Sequence, residues 1–164
     1  MDTHQMITFT RGGVRFNHRV AGVAIDDGRV LLHQFDGEDF WALPGGRAEL
    51  LEPATETLRR EMREELDIQI DVIRLLWVVE NFFEYDELRF HELGLYFLMQ
   101  VPTHWHLRTT QMPFLGHEGH LRLTFQWFPL DDLNQMRVYP SFLTQRLRDL
   151  PSTVEHVVHV DVDP

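Results

Sequence analysis

"GGRAELLEPATETLRREMREELDI", residues 45–68, packs six glutamates and one aspartate into a segment that begins directly after Pro44. The spacing predicts a helix over 53–66. Pro53 suits a first helical turn, and Ala54, Leu58, Met62 and Leu66 recur every fourth residue. At about 100° per residue, with Leu58 at zero, Ala54, Met62 and Leu66 form a buried stripe from about −40° to about +80°. Glu65 falls at about −20°, Glu61 at about −60° and Glu64 at about −120°, along one flank of that stripe. Arg59, Arg63 and Glu56 take the opposite side. Carboxylates crowded where a helix meets its core repel one another, and a hard divalent cation resolves that repulsion. Glu and Arg are also good helix formers whose i,i+4 pairs support a solvated helix. Spacing alone leaves both readings open.

Around this segment the chain reads as one domain. It has 164 residues, 43% hydrophobic and 12% aromatic, enough for a real core. A net charge of −11 argues against binding nucleic acid or an anionic membrane non-specifically, but not against a small phosphorylated substrate held through a metal ion. Without cysteine there is no disulfide, thiolate nucleophile or Cys-based zinc site. All 15 Lys+Arg residues are Arg, so any basic contact to a phosphate comes from a guanidinium. The N-terminus lacks the pattern of a signal peptide and no apolar run reaches membrane-spanning length, so the expected location is cytoplasmic.

Strands are expected in 14–35, around the turn Asp26-Asp27-Gly28, and in 68–85 and 88–101, paired through a turn near Asp86. Residues 102–119 read as a long polar loop, 121–130 as a strand, 141–150 as a closing helix, and the tail from 154 as a strand or loose end. This order predicts an α+β domain, a mixed sheet sandwiched between helices. Residues 1–13 would be an N-terminal extension or edge strand, 14–150 the domain and 151–164 a C-terminal tail.

The segment resembles the signature of the Nudix hydrolase family, a 23-residue pattern of fixed spacing. Gly46, Glu52, Arg60, Glu61, Met62, Glu64, Glu65 and Ile68 fall on its defining positions, and Asp67 stands where the signature has Gly. "WALPG" is similar to the family's approach to this box, and the order of elements extends the resemblance to roughly residues 14–150. The resemblance implies that Glu61, Glu64 and Glu65, with the carbonyl of Gly45, bind a catalytic Mg²⁺ or Mn²⁺. It implies that Gly46, Glu52 and Arg60 hold the loop and helix together. The activity implied is hydrolysis of a diphosphate linkage in a nucleoside triphosphate, nucleotide sugar or dinucleoside polyphosphate, with a catalytic base that differs between branches. Dimers are common on this fold, which makes a homodimer an expectation too.

Beyond the box, Glu118 in "GHEGH" is the candidate distal base, with Glu92 its rival. Arg47, Arg89 and Arg15 are candidate phosphate clamps, and Phe83, Tyr85 and Phe90 candidate base-stacking residues. Tyr85 lies 17 residues past Ile68, an offset similar to a marker of the branch that cleaves dinucleoside polyphosphates. His104, His106, His117 and His120 lack a third ligand at fixed spacing and read as ordinary loop histidines. Two rival readings remain: a non-catalytic nucleotide-binding module, which would more often have lost box acids, and a diphosphate isomerase on the same fold, whose catalytic cysteine this chain lacks.

Overall fold

A computed structural model describes residues 5–161. The outermost parts of the expected extension and tail, 1–4 and 162–164, lie outside the described residues.

The strands form two sheets rather than the single sheet expected. In the first, β1 (Thr8–Arg11), β2 (Val14–Val23), β8 (Leu88–Gln100), β7 (Asp71–Tyr85) and β12 (Glu155–Val160) lie side by side in that order, and β6 (Gly45–Arg47) branches from β2. In the second the order is β11 (Val138–Tyr139), β5 (Trp41–Ala42), β4 (Arg29–Phe35), β10 (Leu121–Pro129), β9 (Phe114–Glu118), with β3 (Ile25–Asp26) on β4. β2 runs parallel to β8, and β12 parallel to β7, so the first sheet is mixed. The β7–β8 hairpin turns on Asp86 and Glu87, both at positive φ, the geometry of a two-residue turn that matches strand twist.

Two hydrophobic clusters, each fed by both sheets, hold the layers together. In one, Leu58 and Met62 of α1 (Ala54–Leu66) pack with Val20, Leu31, Leu123 and Phe125. In the other, Trp77, Tyr96 and Leu32 meet Leu133 of a 3₁₀ helix (Leu130–Gln135) and Leu143 of α2 (Leu143–Arg146). Helices therefore cover both sides, and the α+β class holds.

Two local expectations need correction. The closing helix over 141–150 shrinks to α2. Leu143 and Leu147 anchor one buried turn, and the Arg148 guanidinium then donates to Leu130 O and Asp131 O. The polar loop over 102–119 ends in β9, so Glu118 closes a strand of the β9–β10 hairpin and is not in a long free loop. The tail's β12 docks in register on β7, Glu155 beside Trp77 through Val160 beside Phe82.

Candidate active site

The box helix starts and stops as its sequence dictates. Pro53 precedes it in extended geometry, and Asp67 follows it at φ 54°, its N–H returning to Arg63 O. The left-handed position that favours glycine is thus filled by one of the side chains that tolerate it.

Arg60 organises the segment. Its Nε donates to Glu52 Oε1 at 2.9 Å, its Nη1 to Glu61 Oε1 at 2.8 Å and to Glu64 Oε2 at 3.4 Å, and its Nη2 to Glu52 Oε2 at 3.1 Å and Arg47 O at 3.2 Å. Thr57 adds a bond to Glu52 Oε2 at 2.8 Å. Burial works to raise Glu52, but the hydrogen bonds of Arg60 and Thr57 outweigh it and hold the carboxyl below its usual range. The loop 48–52 is thereby tied to the helix.

Two glycines let β6 close on its neighbours. A Cβ on Gly45 would lie 2.1 Å from Val20 O, and one on Gly46 would lie 2.2 Å from Glu61 Oε1. Gly46 is therefore the notch into which the Glu61 carboxylate fits. On the far side Gly116 of β9 plays a similar part, since a Cβ there would approach Glu65 O to 2.7 Å. That close approach brings Glu118 to the acids of α1.

The acids form a strained shelf. Glu61 and Glu65 are buried, while the side chain of Glu64 is 56% exposed. Burial raises the Glu61 pKa, Arg60 opposes it, and Glu64 and Glu118 add to the rise. Burial likewise pushes Glu65 well above its usual range, aided by Glu61 and Glu118 and opposed by Arg19. Neither oxygen of Glu65 has a hydrogen-bond partner. Beside it His33 Nδ1, 3.9 Å from Glu65 Oε2, is also unpartnered, and burial, with Arg19 adding, lowers its pKa to about 3. The neutral imidazole gives the shelf no positive charge.

Among the described residues no three acidic or histidine side chains converge on one point as they stand, because Arg60 draws Glu61 and Glu64 to itself. The donor set nonetheless fits a hard cation. It offers buried carboxylate oxygens, two of them orphaned, with Glu64 more than half exposed at the edge of the shelf.

Next to the shelf lies a cavity of about 290 Å³. Aromatic walls come from both sheets' sides, Phe83 and Phe90 facing Phe40 and Tyr139, and the guanidinium-bearing Arg15, Arg19 and Arg47 also line it. Phe83 and Phe90 stack at 4.7 Å across the β7–β8 ladder. Tyr85 stands at the mouth, donating to Glu38 Oε1 at 2.7 Å, a bond that pushes its own pKa up to about 12. Of the candidate substrate residues, Arg15, Arg47 and Tyr85 line the cavity, and Arg89 does not. Strand alternation turns Phe90 and Glu92 inward and sends Arg89 to the outer face. His104 and His106 flank a separate surface hollow beside Arg59 and Arg63.

Sequence reasoning missed Arg19 and His33. Arg19 opens the apolar run "RVAGVAI" and His33 follows the apolar Val30–Leu32 of "RVLLHQF"; a polar residue on a cavity-facing position of each strand was the available signal. Arg19 also donates to Leu43 O at 3.0 Å, which leaves it anchored between the cavity floor and the acid shelf.

The NUDIX domain model matches residues 16–147. An 8-oxo-dGTP diphosphatase of Buchnera aphidicola subsp. Schizaphis graminum is 24% identical over 150 residues, 89% of this chain and 93% of the relative. The crystal structure of a MutT NUDIX hydrolase from Burkholderia pseudomallei aligns with a TM-score of 0.58 and 25% identity, covering 79% of this chain and 95% of the other. An ADP-ribose pyrophosphatase from Streptococcus suis aligns with a TM-score of 0.57 at 14% identity, over 87% and 98% of the chains, a likeness of fold alone. With the signature in place on α1, its acids gathered and its glycines in contact, the chain belongs to the Nudix hydrolase family.

Proposed function

We propose that this Nudix pyrophosphohydrolase cleaves a small nucleotide or nucleoside diphosphate derivative with the help of Mg²⁺ or Mn²⁺. The observation that carries the reading is the buried Glu65 carboxylate, whose two oxygens lack any partner beside Glu61 and Glu118. An uncompensated buried carboxylate is costly unless something binds it.

Glu61, Glu64 and Glu65, with the Gly45 carbonyl, are the residues that would hold the metal. The ion would supply positive charge against the charge developing on the phosphates. Glu52 and Arg60 position Glu61 and Glu64 for that task. Glu118, within electrostatic reach of Glu61 and Glu65, takes the proton of the attacking water. Arg47, on the cavity wall and bonded through its carbonyl to Arg60, clamps phosphate oxygens, and Tyr85 closes the mouth over the substrate. The relative from Buchnera, by its name an 8-oxo-dGTP diphosphatase, supports a nucleoside triphosphate as one member of the substrate class.

The test is a Mg²⁺-dependent hydrolysis screen over nucleoside triphosphates, nucleotide sugars and dinucleoside polyphosphates, with product identification. Cleavage between phosphates should give a nucleoside monophosphate as one product. Inorganic phosphate as the first product from every active compound would make the enzyme a phosphatase and sink the reading. The same assay on Glu118→Gln should show turnover reduced at least tenfold; unchanged turnover would move the base to another carboxylate.

A further inference from the structure

The face of the first sheet that floors the cavity is ordered in rows. Asn17 of β2 lies in register with Glu92 of β8, and Glu92 with Asn81 of β7. Residues in register on neighbouring strands share a face, and all three line the cavity. The next row toward the mouth is Arg15, Phe90 and Phe83. A polar row of amide, carboxyl and amide therefore lies beside an aromatic and guanidinium row.

The polar row is built but incomplete. Thr8 Oγ1 donates to Asn17 Oδ1 at 2.7 Å, and the Asn17 side chain is hydrogen-bonded in turn to Glu92. Arg19 is the leading charge that opposes the effect of burial on Glu92. On the other side of Glu92, Asn81 is only 4% exposed, and its Oδ1 has no partner. Its in-register neighbour His159 is occupied with Ser141 and Asp161. A buried amide oxygen in a cavity wall with nothing to accept from is a group that a ligand completes.

We propose that Asn81 and Glu92 are the specificity-determining residues of a guanine site in this cavity. Two acceptors side by side, the Asn81 amide oxygen and the Glu92 carboxylate, call for two adjacent donors on one edge of a flat ligand. Guanine has them in its ring N1–H and exocyclic amino group. Adenine and cytosine place a ring acceptor beside their amino group, and uracil flanks its single N–H with carbonyls. The aromatic rings of Phe83, Phe90, Phe40 and Tyr139 supply the apolar walls that an unstacked base needs. The assignment rests on the reading of this chain as a nucleotide hydrolase, and it names the nucleotide.

Binding of nucleoside monophosphates to the full chain, by calorimetry without metal, tests it apart from hydrolysis. Guanosine monophosphate should bind roughly tenfold or more tightly than the adenosine, cytidine and uridine monophosphates, because each of those leaves a buried acceptor unmet. Asn81→Leu should shrink that preference to within about threefold while cooperative unfolding is retained. Should Asn81→Leu fail to fold, Glu92→Gln reads the same point, since it puts a donor where guanine also brings one, and should likewise abolish the preference. Equal binding of the four monophosphates, binding of none, or a guanine preference that survives both substitutions would overturn the assignment. Guanine-selective binding with a negative hydrolysis screen would uphold it and remove the substrate reading instead.

Discussion

Leu51 sits at φ 65° with its side chain fully exposed, in the loop that Arg60 and Glu52 fasten to α1. A non-glycine residue in this region costs roughly 1–2 kcal/mol, and an exposed leucine recovers none of it by burial. Leu51→Gly should therefore raise stability by about 0.5 kcal/mol, after the extra entropy of an unfolded glycine is subtracted. A urea titration reads this as a higher midpoint at unchanged slope; a lower midpoint would contradict it. Residue by residue, the box was legible because its spacing is fixed along the chain. The cavity was legible only in pieces. Arg15, Arg47, Phe83, Tyr85, Phe90 and Glu92 stood out one by one, but Asn17 is far from Glu92 and Asn81 in sequence and joins them only through strand register. His33 and Arg19 carry no local pattern beyond a polar residue beside an apolar run. Arg89 was a plausible clamp until alternation with Phe90 turned it outward.

Among the elements, α1 was the most readable, and with β6, a strand the sequence did not announce, it is the most constrained. Their contact depends on Gly46, where any side chain meets the Glu61 carboxylate. Gly46→Ala should displace Glu61, lower turnover at least tenfold and raise the Mg²⁺ concentration needed for half-maximal rate, with the fold retained by circular dichroism. Normal turnover in Gly46→Ala would mean that the position of Glu61 is unimportant. The α1 stripe was visible because Leu58 and Met62 recur at helical period. The segment 141–150 shows the limit of that signal. Leu143 and Leu147 also recur at four, yet tertiary bonds of Arg148 to the 3₁₀ helix compete with helix continuation. The division into two sheets was hidden for a different reason. Strand propensity marks where strands are, while pairing is fixed by long-range packing.

For the whole molecule, the buried acids couple stability to pH. Burial raises Glu61, Glu65 and Glu92 above the ordinary 4.5, so the folded state keeps protons that the unfolded chain releases, and stability falls as pH rises past that value. His33 acts oppositely. Its pKa falls from 6.5 to about 3 on folding, so stability is gained as pH rises toward 6.5 and is flat beyond it. The two effects oppose each other between 4.5 and 6.5, and above 6.5 only the carboxyl effect is left. Above 6.5, where His33 no longer contributes, the metal-free protein should thus melt at lower temperature as pH rises for as long as the buried carboxyls keep their protons, with a shallower decline in Glu65→Gln. A melting temperature that climbs over this window would refute the picture of a strained acid shelf. The described residues contain no helix long and apolar enough to cross a membrane.

The measurement that bears most directly on the central claim is a thermal melt of the wild type and of a Glu64→Gln, Glu65→Gln double variant, with and without Mg²⁺ at fixed ionic strength. At ten times its dissociation constant, an ion that binds only the folded wild type adds about 1.4 kcal/mol. For a domain of this size that raises the melting temperature by roughly 3–6 °C. The double variant should melt at or above the wild type without metal, because like charges are gone from the shelf, and should hardly respond to Mg²⁺. An equal response in the two proteins would show that these glutamates do not form the metal site.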